Sequence, residues 1–113
     1  MNNGSENSFK NIRVYAVIDK KTNNMSNITL GYNDKDVASW FMNQLKESLK
    51  KVDEKAIPYI RDFVNTSCFS YLGYFDILSH DFIHEENVLI NLNFEDILDV
   101  KEEKENENEW NKN

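Results

Sequence analysis

One amphipathic stripe in the middle of the chain limits the folds that this sequence can adopt. Between residues 34 and 52 the apolar side chains recur every three or four positions, which is the spacing of one helix face. Asn33 and Asp34 offer an N-cap for this helix. Lys50 and Lys51 lie in its last turn, where cations suit the carboxyl end of the helix dipole. The sequence therefore predicts one long helix over residues 34–52.

Runs of β-branched and aromatic residues flank this helix on both sides, and such runs are typical of strands. Gly73 inside one of them predicts a bulge or a close backbone approach. Polar segments at residues 20–27 and 81–87 predict loops. Strands grouped around a helix favour the α+β class, here a small antiparallel sheet of about four strands with one long helix packed on one face. The predicted strands are residues 12–18, 28–32, 68–78 and 88–92.

Two interpretations stay open for residues 56–64, either a short helix with Pro58 in its first turn or an extended crossing segment. A further helical turn is predicted near residues 94–98. The composition divides the chain into a polar N-terminus (1–8), a single α+β domain (9–98) and an acidic tail (99–113) with six acids and three lysines. We expect both ends to be disordered, because they have too few apolar residues to offset the entropy of ordering.

The composition also excludes several classes of protein. The formal net charge is −7, which argues against a dedicated binder of duplex DNA, since neutralising phosphates needs clustered cations. Cys68 is the only cysteine, so an intrachain disulfide is impossible. No apolar run approaches the ~20 residues of a spanning helix, and no membrane contact is expected.

Few residues suggest catalysis or metal binding. His80 and His84 have the spacing of two metal ligands on a helix, but they lie in a predicted loop and lack the glutamate of that motif. Cys68 sits in an apolar strand, where a thiol behaves as a small hydrophobic residue. We therefore expect no enzyme activity, no catalytic residues, no metal and no cofactor.

Basic segments with interleaved aromatic residues give the leading hypothesis, weak binding of single-stranded DNA. The alternative is a protein-interaction module that acts through a sheet edge or the acidic tail, without nucleic acid. A continuous positive groove with exposed aromatic rings would favour DNA, whereas scattered lysines and an apolar patch would favour a protein partner. The candidate DNA-binding residues are Lys10, Arg13, Tyr15, Lys46, Lys50, Lys51 and Lys55.

The order of three short motifs resembles the small nonstructural protein of gokushovirus-type microviruses, which are single-stranded DNA phages. The first motif is a Val-Tyr-Ala-Val strand that ends in Asp, here Val14 to Asp19. The second is an Asn-Asp helix start followed by an alanine and an aromatic residue, here Asn33, Asp34, Ala38 and Phe41. The third is an aromatic strand around a glycine, here Tyr71, Leu72, Gly73, Tyr74, Phe75 and Asp76.

The resemblance implies a nonstructural phage protein that acts in the cytoplasm of the infected bacterium. Its expected role is accessory to viral DNA replication, or to the switch toward single-stranded DNA synthesis and packaging. A viral or host replication protein is then an expected partner. The resemblance transfers no catalytic residue to this chain.

Overall fold

Four strands form one antiparallel sheet in the spatial order β2-β1-β3-β4 in the computed structural model, which describes residues 11–97. The two central strands, β1 and β3, are the most apolar segments of the chain, and the two edge strands are more polar. Two hairpins, β1–β2 and β3–β4, therefore meet along the β1–β3 pair. The strands are β1 (Asn11–Asp19), β2 (Asn24–Gly31), β3 (Ser67–Asp76) and β4 (Phe82–Asn91).

The helical layer connects the two hairpins. Helix α1 (Asp34–Lys50) begins as predicted at Asn33, whose side chain accepts a hydrogen bond from the amide of Asp36 at 3.0 Å. A 3₁₀ turn (Glu54–Ala56) follows, and helix α2 (Ile57–Asn65) has a proline in its first turn, as in the first of the two interpretations. Residues 94–97 form a helical turn.

The α+β class and the four-stranded antiparallel sheet are confirmed, whereas the single long helix is wrong. The helical residues are divided among α1, the 3₁₀ turn and α2, because Asp53 caps a new turn soon after α1 ends. Two predicted loops are also wrong. Residues 24–27 and 82–87 belong to β2 and β4, where hydrogen bonding to the apolar central strands outweighs their polar character.

One face of the sheet carries the hydrophobic core. Tyr15 of β1 and Phe69 of β3 are fully buried there under the helical layer. Helix α1 contributes Phe41 and Leu49 to this core, and α2 contributes Val64. The expectations for segments 1–8 and 99–113 concern residues that lie outside the described part of the chain.

Candidate interaction surface

The opposite face of the sheet has no helix over it among residues 11–97. Paired residues of antiparallel strands share a face, so the strand register identifies its members. Ile18 pairs with Met25 on one side and with Cys68 on the other, and Phe75 pairs with Phe82. We call this surface the open face. Its apolar members are Ile12, Val14, Ala16, Ile18, Met25, Leu30, Cys68, Leu72, Phe75, Phe82 and Val88.

Small residues occupy the centre of the open face and large residues surround them. Ala16 and Ser70 are fully buried between neighbouring side chains, and the Cys68 sulfur lies 3.3 Å from the Ser70 hydroxyl. Phe75 and Phe82 stand at one end with ring centroids 5.0 Å apart. A shallow groove of about 390 Å³ runs between these rings and Met25. The open face is therefore an apolar surface with a recess.

The open face carries almost no charge. His84 and Glu86 on β4 line its groove, where His84 Nε2 lies 3.5 Å from Glu86 Oε1. Lys20 reaches the margin of the face, since its Nζ donates to Asn91 Oδ1 at 3.3 Å and Asn91 pairs with Cys68. No lysine or arginine of residues 11–97 lines the groove. A surface of this kind suits an apolar partner and does not provide cations for phosphates.

Two of the residues expected to contact DNA are engaged inside the fold. Tyr15 does not present its ring to solvent: the ring is buried against Phe69, and its hydroxyl donates to Asp34 at 2.8 Å. Arg13 donates to both carboxylate oxygens of Asp34, at 2.7 and 3.0 Å, and its guanidinium lies 3.9 Å from the centroid of the Tyr71 ring. Its charge is thus compensated within the protein.

The remaining candidates lie around the end of α1, except for Lys10, which is outside the described residues. Lys46 is half-buried, while Lys50, Lys51 and Lys55 are exposed. Lys50 pairs with Glu47 at 3.0 Å, so acids interrupt this basic cluster. The structure brings the four lysines into one region but does not join them to Arg13 or Tyr15 in a continuous basic groove.

Two buried tyrosines have raised pKa values. Burial disfavours the Tyr15 phenolate, and the hydrogen bond to Asp34 raises the pKa of Tyr15 further. Burial and the hydrogen bond that Tyr71 donates to Glu85 at 2.8 Å raise the pKa of Tyr71 to about 12. Both rings therefore act as neutral structural donors that fix the carboxylates beside them.

The raised pKa of Tyr71 predicts a loss of stability in alkali. Its neutral phenol contributes in full below about pH 10, the unfolded value, and this contribution is lost as the pH rises toward about 12. Thermal denaturation between about pH 8 and about pH 11 should therefore show a steeper fall in Tm for the parent than for Tyr71→Phe. Parallel profiles for the two proteins would contradict the assignment.

The sequence contained one signal for the open face that residue motifs did not reveal. Strand β1 is apolar on both faces, with Val14, Ala16 and Ile18 alternating with Tyr15 and Val17. A strand of this kind requires cover on both faces. The helices of the described segment cover only one.

Comparison of this chain with protein-family models, curated proteins and solved structures finds no match. Within residues 11–97, no three His, Cys, Asp or Glu side chains are grouped so that they could hold a metal ion. None of the described helices is long and apolar enough to cross a membrane.

Proposed function

We propose that this chain is a non-enzymatic protein-interaction module that binds its partner through the open face. The observation that carries the proposal is the exposure of large apolar side chains around a groove that no lysine or arginine of residues 11–97 lines. Met25 is 52% exposed, Phe82 42% and Val88 45%. Contiguous apolar patches of this size mark interaction sites in soluble proteins. We further propose, from the motifs that resemble the small nonstructural protein of gokushovirus-type microviruses, that this module is accessory to phage DNA replication.

The open face is a better binding surface than either sheet edge. Strand β2 is interrupted by a register shift opposite β1, and Asn27 in it has a positive φ of 53°. Strand β4 carries Glu85 and Glu86 near its middle. Bulges and charges of this kind oppose the addition of a further strand. Neither feature obstructs contact with the apolar face.

Affinity capture with two matched variants tests this proposal. Phe82→Glu places a carboxylate on the open face, whereas Phe63→Glu makes the same change at a ring of similar exposure on α2, 44% against 42%. The parent and Phe63→Glu should both retain a protein from nuclease-treated bacterial lysate, or a co-expressed second copy of the chain. Phe82→Glu should fail to retain it. Equal retention by all three proteins would contradict the proposal.

A second function, weak binding of single-stranded DNA, is favoured by one specific observation. Tyr59 on α2 is 79% exposed and follows Lys55 by one helical turn. An exposed ring beside cations is the combination that single-stranded nucleic acid binders use. In this proposal Lys46, Lys50, Lys51 and Lys55 contact phosphates and Tyr59 stacks on a base.

The DNA proposal predicts a strong effect of charge reversal at the end of α1. Replacing Lys50 and Lys51 together by Glu should abolish retention of single-stranded DNA at about 20 mM salt, and the parent should show a log–log salt slope of about −2 to −3 for three or four phosphates. Replacing Lys20 and Lys21 by Glu makes the same charge change in the β1–β2 turn. Equal weakening by both double variants would show that only net charge matters.

A further inference from the structure

We propose that the partner of the open face is a second copy of this chain, bound face to face about a two-fold axis. This inference rests on the proposed function and names its partner. A two-fold interface requires one surface that is complementary to itself, because the same patch is used by both copies. The shape, charge and size of the open face meet this requirement.

The shape of the open face is self-complementary. Its groove has Val14, Ile18 and Leu72 among its lining residues, while Met25 and Phe82 project beside it with half of their surface exposed. One copy therefore offers both the recess and the side chains that fill a recess. Large side chains set opposite small ones are the arrangement that lets two apolar layers interdigitate.

The charge of the open face permits self-association in a strongly acidic chain. Each copy carries a net charge of −7, but the groove of the open face contributes only Glu86, with His84 beside it, and Lys20 at the margin adds one positive charge. A two-fold arrangement can set His84 of each copy toward Glu86 of the other. The remaining repulsion between copies acts at longer range and is screened by salt over about 8 Å at physiological ionic strength.

The size of the open face is sufficient for a stable dimer. The sheet has four strands, and β1 is nine residues long. Strand spacing of about 4.8 Å and a rise of about 3.3 Å per residue give on the order of 600 Å² per copy. Two copies would bury on the order of 1,200 Å², which reaches the lower end of specific interfaces.

The two segments that flank the described residues are poorly suited to cover the open face. Segment 1–10 has two apolar residues, Met1 and Phe9. Segment 98–113 has three, and its six acids would approach a face that already carries Glu86. A second copy supplies far more matching apolar surface than either segment.

Sedimentation equilibrium of the full chain tests the dimer. At on the order of 50 µM the parent should have twice the 13.4 kDa mass of one chain, and association should strengthen with salt as the like charges are screened. Phe82→Glu should raise the dissociation constant at least about 100-fold, since it buries an unpaired carboxylate. Phe63→Glu should leave the dissociation constant unchanged, and circular dichroism confirms that both variants fold.

Each other outcome overturns the inference. A parent that stays monomeric at this concentration has no self-association, although affinity capture by the open face would still support the proposed function. If Phe63→Glu dissociates the dimer and Phe82→Glu does not, the two copies associate through the helical layer. A parent dimer that weakens with added salt is held by charge pairs and does not use the apolar face.

Discussion

Phe41→Ala should lower the free energy of unfolding by about 3–5 kcal/mol, the cost of removing a buried phenylalanine ring. Phe41 is 7% exposed, and its ring stacks on Phe69 with centroids 4.1 Å apart. Phe69 in turn stacks on Tyr15 at 5.9 Å. The substitution therefore leaves a cavity where α1 meets both central strands, and such a cavity adds to the lost transfer free energy.

Urea denaturation followed by circular dichroism measures this loss. Phe63→Ala on α2 is the matched control, because its ring is 44% exposed and its removal opens no enclosed cavity. Phe63→Ala should lower the free energy of unfolding by about 1 kcal/mol or less. A loss below about 0.5 kcal/mol for Phe41→Ala would show that the apolar stripe of α1 does not face the sheet.

Gly73→Ala should also be strongly destabilising, by more than about 3 kcal/mol, because conformational strain and a steric clash add at this position. Gly73 has a φ of +145°, a conformation that residues with a side chain rarely adopt. An added Cβ would overlap the backbone oxygen of Ile83 and lie 3.0 Å from the Cα of His84. Because the obstruction is backbone of the neighbouring strand, β3 and β4 would have to separate.

Gly31→Ala provides the comparison for Gly73→Ala. The nearest obstruction there is a methyl group of the Val37 side chain on α1, so no strand pair has to separate. Gly31→Ala should therefore lower the free energy of unfolding clearly less than Gly73→Ala does in the same denaturation experiment. Equal costs at the two glycines would contradict the close approach of β3 and β4.

The central part of the fold could be predicted because local signals and tertiary packing agree there. The stripe of α1 has the helical period, its N-cap is an asparagine, and its buried residues Phe41 and Leu49 belong to that stripe. Gly73 predicted a bulge or close approach, and the strand register shifts beside it. In these segments, intrinsic propensity and burial favour the same structure.

The first and last residues of the edge strands β2 and β4 could not be predicted from the sequence. Residues 82–87 (FIHEEN) are exposed, and their strand conformation depends on hydrogen bonds to β3. Residues 24–27 are rich in polar turn formers, and Asn27 does adopt a left-handed conformation, but this occurs within β2. Pairing with a central strand is a long-range effect that short windows of sequence do not contain.

The candidate site was harder to predict than the fold. Tyr15 lies between basic residues in the sequence, yet strand alternation directs its ring into the core and places Ala16 and Val14 on the open face. Because successive residues of a strand point to opposite faces of the sheet, a shift of one position decides whether a ring is exposed or lies in the core. The open face comprises side chains from four strands, so no single motif could indicate it.

Site-specific photo-cross-linking tests the central claim, that the open face binds protein, most directly. A benzophenone amino acid at position 82 samples the open face, and the same amino acid at position 63 samples the helical layer at similar exposure. In bacterial cells that express the full chain, position 82 should give a discrete protein adduct that survives nuclease treatment, and position 63 should not. Equal adducts from both positions, or an adduct at position 82 that nuclease removes, would contradict it.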